Sequence, residues 1–196
     1  GPHMWVYKQY SPGIFPWSKT GQYLSLSVKA AVPYVELTDP HGNVSYHNFT
    51  SNQAPVTQLS FGLYFKDKTN NITFAITSPM YESRGTFQET ARQHDTSTSF
   101  AISPLESTST YVTKAPLSTS LQSKPFSELR YFEVHITQQN LEGIIRDSDE
   151  NLSNDISNYE LLMTGILFEL PNYVENGHNV SMVNLSELTV KIDSEK

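Results

Sequence analysis

Aromatic side chains are the most suggestive chemical feature of this chain. Trp5, Tyr7, Tyr10, Phe15 and Trp17 crowd one short segment together with Pro12, Gly13 and Pro16, and both tryptophans of the chain lie there. An indole or phenol ring joins a broad apolar face to a polar edge. Such rings stack on sugar rings and anchor wet protein interfaces. Pro and Gly favour a stiff loop that displays these rings; the opposing reading is an arm that tucks them against a core edge. Tyr46, Tyr64 and Tyr81 add phenols elsewhere, with Asn, Asp and His as hydrogen-bond partners. The candidate ligand-binding residues are therefore Trp5, Tyr7, Tyr10, Trp17, Tyr46, Tyr64 and Tyr81.

Catalytic signals are weaker. A Gly-x-Ser-x-Gly nucleophile elbow is absent. Glu133, beside His135, and Glu169 could form the carboxylate pair of a glycosidase if their segments were neighbouring strands. Otherwise they sit on a solvated face or pair with Arg130. Three fragments, Ser127–Arg130, Val134–Ile136 and Leu63–Lys66, echo parts of the alginate-lyase jelly roll. They occur out of that family's chain order, with Val134 where it has Gln, and they assign no family.

Two groups offer oxygen and imidazole ligands: Asp39, His41 and Asn43 in one, Asp147, Asp149, Glu150 and Asn151 in the other. Neither has the spacing or the Gly of an EF-hand. His41 and His47 flank a hairpin without a third ligand. No catalytic residue, metal or cofactor is expected.

Composition narrows the classes. Six His and no Cys exclude thiolate zinc, thiol catalysis and disulfides. A net charge of −7 argues against nucleic acid, which demands clustered Lys and Arg. No apolar run approaches the roughly 20 residues of a membrane span. Charged residues are only 17% and aromatics 12%, the profile of a polar, uncharged surface around a real core rather than a disordered tract. Asn-x-Ser/Thr sequons stand at Asn43, Asn48, Asn71, Asn151, Asn179 and Asn184. They suit a glycosylated surface protein, or simply a chain rich in Asn, Ser and Thr, as in a bacterial or phage surface protein.

The elements that would position these groups are strands. Period-two alternation puts Leu24, Leu26 and Val28 on one face of Tyr23–Lys29. It does the same for Leu59, Phe61, Leu63 and Phe65, and for Ile72, Phe74 and Ile76. Tyr34–Leu37 reads as a separate strand before the turn Asp39-Pro40-His41-Gly42-Asn43, with a return strand Val44–Phe49. Lys66–Asn71 reads as a polar hairpin tip and Ser78–Asp95 as a long connection with room for one short strand. Ser99–Ser103 and Thr110–Lys114 are short strands. Leu129–Thr137 is a strong one, facing Phe132, Val134 and Ile136 one way. Gln138–Arg146 has helical spacing at Leu141, Ile144 and Ile145. Asp147–Asn158 reads as a solvated acidic loop. Tyr159–Leu170 is a central strand covered on both sides. Val180–Val183 and Leu188–Ile192 close the chain.

The expectation is an all-β fold: an antiparallel, jelly-roll-like β-sandwich of about ten strands with at most one or two short helices. Residues 1–4 read as a tag-cleavage remnant and 5–196 as one domain cut from a larger protein. The expected function is a non-catalytic, carbohydrate-binding, lectin- or adhesin-like module of an extracellular or cell-surface protein. Its partner is a glycan or protein ligand. The alternatives are a polysaccharide-active lyase or glycosidase, or a structural module of a capsid, fibre or pilus.

Overall fold

A computed structural model describes residues 3–46, 55–83, 94–95, 100–102, 124–147, 152–170 and 176–194. Its strands are β1 (His3–Ile14), β2 (Gln22–Thr38), β3 (Val44–Ser45), β4 (Gln58–Asp67), β5 (Ile72–Glu82), β6 (His94–Asp95), β7 (Phe100–Ile102), β8 (Phe126–Thr137), β9 (Tyr159–Glu169) and β10 (His178–Ser194). Eight have three residues or more and two are two-residue pairings, against the ten or so strands expected. They form two sheets. One is ordered β1-β9-β4-β5-β7-β6; in the other, β10-β2-β3, β8 also pairs with β2. Pairing is antiparallel except that β7 runs parallel to β5, a departure from the expected all-antiparallel pattern.

The alternating positions do face inward. Leu24, Leu26 and Val28 of β2 and Phe132, Val134 and Ile136 of β8 pack against Leu59, Phe61, Leu63 and Phe65 of β4, with Phe74 and Ile76 of β5. Each such side chain taken out of water contributes on the order of 1.5–3 kcal/mol. β9 lies between β1 and β4, the central place its apolar run suggested.

Several boundaries differ from the sequence reading. β2 runs unbroken through Pro33, because both neighbours shift register there: β10 between Met182 and Asn184, β8 opposite Ala30 and Val32. A bulge needs no ladder bond from the Pro nitrogen. It also moves the inward set from Leu24, Leu26 and Val28 to Val35 and Leu37. β10 is likewise continuous, with a second shift between Ser186 and Thr189 around Glu187, whose φ is 58°. β5 continues to Glu82 and buries Met80 and Tyr81, where a connection was expected. The return strand after Asn43 is described only as Val44–Ser45, and Thr110–Lys114 lies outside the described residues.

The hairpin tip is anchored rather than merely solvated. Asp67 is fully buried. Its Oδ1 accepts the backbone N–H groups of Thr69 (2.8 Å) and Asn70 (3.2 Å), and its Oδ2 that of Ser153 (2.8 Å). The segment before β9, expected as open loop, is thereby tied to the β4–β5 turn. Leu152 and Ile156 pack on the core beside it.

The helix α1 (Gln138–Asp147) starts directly after β8. Asn140 Oδ1 accepts from the Thr137 backbone N–H, and Thr137 Oγ1 accepts from the Asn140 N–H. This reciprocal cap satisfies amides the helix itself leaves unpaired. Leu141 and Ile145 are buried, as their spacing implied.

Candidate functional site

The aromatic segment is a strand. β1 pairs with β9 at Trp5↔Leu167, Tyr7↔Gly165 and Gln9↔Met163. β4 pairs with β9 at Gly62↔Gly165 and Tyr64↔Met163. Residues opposite each other share a face of the sheet, so Trp5, Tyr7, Gln9, Gly62, Tyr64, Met163 and Gly165 all point away from the core. Pro12 falls in the register shift between Gln9 and Ile14, where no donor is required.

Two facing glycines shape this surface. A Cβ on Gly62 would lie 2.4 Å from Trp5 Cζ3 and 2.5 Å from Cη2, so the indole rests directly on the bare backbone. A Cβ on Gly165 would lie 2.4 Å from the Val6 carbonyl oxygen, so β1 itself approaches closely there. Glycine inside a strand commonly marks such an approach. Trp5 then meets Tyr64 edge-on, with ring centroids 5.2 Å apart and planes at 63°.

The result is a groove of about 380 Å³ lined by Trp5, Tyr7, Gln9, Tyr64, Thr73, Leu162 and Met163. Tyr7 is 57% exposed. The Tyr64 hydroxyl is pushed up to about 12, first by burial and then by the Glu169 carboxylate. It is therefore a neutral hydroxyl, able to donate, across the physiological range. Among the described residues, no charged side chain lines the groove. The arrangement offers ring faces, a phenol, an amide and a hydroxyl, the equipment of a neutral polar ligand with an apolar face.

Three of the seven candidate residues, Trp5, Tyr7 and Tyr64, converge here. The other four do not. Trp17 is buried, donates from Nε1 to the Ile136 carbonyl at 3.0 Å and packs on Phe65 at 5.3 Å. Tyr81 is fully buried near Phe126, and burial, then the Glu82 charge, raises its hydroxyl pKa. Tyr10, on the other side of β1, hydrogen-bonds Thr164 Oγ1 at 2.9 Å and packs against the core. Tyr46 directly follows β3 of the second sheet, with 6.4 Å between its ring and that of Tyr34. Gln9, Thr73, Leu162 and Met163 were not foreseen as site residues. Gly62 and Gly165, isolated inside strand patterns, were the signal available for a close approach.

The carboxylate pair does not assemble. Glu133 lies in β8 and Glu169 in β9, strands of different sheets. Across Gln58 in β4, Glu169 instead faces Glu82, which is fully buried and accepts from Gln58 Nε2. Glu133 Oε1 sits 2.9 Å from His135 Nε2 and accepts from Ser25 Oγ at 3.2 Å, while Tyr23 stacks on His135 at 5.2 Å. Burial pushes the Glu133 carboxyl up, but His135 and the Ser25 and Tyr131 hydroxyls outweigh it and hold it below its ordinary value. Both Ser25 and His135 turn to the carboxylate, so the imidazole does not stand between acid and hydroxyl as nucleophile activation needs.

Asp39 is committed to its turn. Its Oδ1 accepts from the His41 and Asn43 N–H groups and its Oδ2 from Asn43 Nδ2. The Asn43 side-chain bond leads in lowering its pKa. Residues 148–151 and His47 lie outside the described residues. Among the described residues, no group of three His, Asp or Glu could hold a metal, and no helix is long and apolar enough to cross a membrane. Compared with known proteins, the chain matches no family model, no curated protein and no solved structure.

Proposed function

We propose that this jelly-roll-like sandwich is a non-catalytic recognition module of an extracellular or surface protein, binding a neutral sugar in the groove of β1, β9, β4 and β5. One observation carries the reading: Trp5, Tyr7 and Tyr64 stand together around an uncharged groove over a glycine floor. The Cζ3–Cη2 edge of the indole abuts Gly62, which positions a ring whose apolar face stacks on a pyranose. Tyr64, Gln9 and Thr73 supply hydroxyl and amide groups as partners for the sugar hydroxyls. The volume of about 380 Å³ is at the small end of ligand sites, matching a short oligosaccharide end. The net charge of −7 disfavours uronates, sialic acids and phosphates.

The test is a glycan array followed by titration of the best neutral sugar, read through tryptophan fluorescence. Trp17 is buried, so a ligand-dependent change reports Trp5. Trp5→Ala is expected to weaken binding about tenfold, in line with the ~1 kcal/mol or more of an aromatic contact. Binding that survives Trp5→Ala and Tyr64→Ala unchanged, or is confined to charged glycans, overturns the proposal.

A further inference from the structure

The sequons divide sharply once their side-chain amides are placed. In the secretory pathway, an Asn Nδ2 attacks the anomeric carbon of a lipid-linked oligosaccharide diphosphate. The N–C bond forms, the C–O bond to phosphate breaks, one Nδ2 proton is released and the lipid diphosphate departs. The product is a bulky, hydrated N-linked glycan, and its nitrogen keeps a single hydrogen. A compatible site in the finished fold is therefore an exposed Asn whose amide hydrogens are not both committed.

Asn179 fails this criterion. It points inward from β10, and its Nδ2 donates both to the Val56 carbonyl and to Thr57 Oγ1, the latter at 3.0 Å. Its Oδ1 accepts from Ser181 Oγ at 2.7 Å, the hydroxyl of its own sequon. Thr57 Oγ1 and Ser181 Oγ are 2.7 Å apart. These bonds tie β10 of one sheet to the segment entering β4 of the other. A glycan there would remove one donor and drive a sugar between the sheets. Leaving such buried partners unpaired costs on the order of 1–3 kcal/mol each.

Asn71 and Asn184 meet it with neither amide hydrogen committed, whereas Asn43, also exposed, spends one on Asp39 Oδ2. Asn71 is exposed at the tip of the β4–β5 hairpin, in the left-handed region with φ 57°, followed by Ile72 and Thr73. Asn184 is exposed on β10, at the register shift after Met182, followed by Leu185 and Ser186. β10 has a neighbour on one side only among the described residues. Neither side-chain amide makes a hydrogen bond among the described residues.

We infer that Asn71 and Asn184 are N-glycosylation sites and that Asn179, despite its sequon, is not. The inference takes its setting from the surface-protein reading above and its sites from this geometry alone. The test is expression of the full chain behind a signal peptide in insect or mammalian cells. The secreted protein is then treated with peptide-N-glycosidase in H₂¹⁸O and its peptides are mapped by mass spectrometry. The expected result is ¹⁸O-labelled Asp at positions 71 and 184 and unmodified Asn at 179. Asn71→Gln and Asn184→Gln, both at exposed positions, should each remove one glycan from the intact mass. An unmodified Asn71 or Asn184 in secreted protein, or a glycan on Asn179, overturns the inference. Sugar binding is measured on bacterially produced, unglycosylated chain, so the two readings fail separately.

Discussion

Replacing each of the two facing glycines by alanine separates the platform from the strand beneath it. A Cβ at Gly62 meets only indole carbons of Trp5, at 2.4 and 2.5 Å, where carbon atoms normally sit about 3.5–4.0 Å apart. The indole must rise by about 1–1.5 Å to restore that spacing. Trp5 belongs to an edge strand and is only partly buried, so the ring has room to move. Alanine in a strand is also favoured over glycine by roughly 0.5–1 kcal/mol, which offsets part of the lost ring contact. Gly62→Ala is expected to stay within about 1 kcal/mol of the parent. Its tryptophan emission should shift, and its sugar binding should fall at least as far as in Trp5→Ala.

A Cβ at Gly165 meets the backbone of β1 instead: the Val6 carbonyl oxygen at 2.4 Å and Tyr7 Cα at 2.8 Å. No side-chain rotation relieves that. β1 must move off β9 by about 1 Å, and two or three ladder bonds at about 1 kcal/mol each stretch or break. With the overpacking cost, the loss should reach about 3–5 kcal/mol. At a urea m-value of about 2 kcal/mol/M, the unfolding midpoint should fall by roughly 1.5–2.5 M. The assay is urea unfolding followed by fluorescence and circular dichroism. Equal midpoints for the two variants, or a larger loss for Gly62→Ala, would refute the reasoning.

Two further outcomes follow from the described contacts. Asp67→Ala removes the acceptor of three backbone N–H groups, and part of their exposure is recovered by water, so a loss of about 3–5 kcal/mol is expected. Asp67→Asn keeps one acceptor oxygen and should lose less; a loss below about 1 kcal/mol for Asp67→Ala, read from urea midpoints, would contradict the anchoring role. Glu133 has its folded pKa below the ordinary 4.5, so its contribution is fully present above that value and disappears as pH falls through the lower folded value. Thermal melts from about pH 3 to pH 7 should show the gap between parent and Glu133→Gln shrinking only at the acid end; a gap that is constant with pH, or that grows on acidification, would rule this out.

Local patterns in the chain were enough to determine its strand-rich class and most of its inward-facing residues. Alternation depends only on the two-residue repeat of an extended backbone, so Leu24, Leu26 and Val28, or Leu59, Phe61, Leu63 and Phe65, could be assigned to a core without knowing their neighbours. The Asp39–Asn43 turn and α1 were legible for the same reason, since their hydrogen bonds close within a few residues. Breaks at Pro33 and around Glu187 were misread because a bulge is a property of two strands, and one strand's sequence does not record its partner's register. Trp5 and Trp17 show the limit most clearly. They lie in one aromatic segment, yet Trp5 rests on Gly62 at the surface while Trp17 reaches the Ile136 carbonyl in the core. Glu133 and Glu169 likewise sit in comparable strands and end in separate sheets. Partners distant in sequence made each of these choices, through strand pairing and the closing of two apolar faces on each other, and no local spacing carries that information.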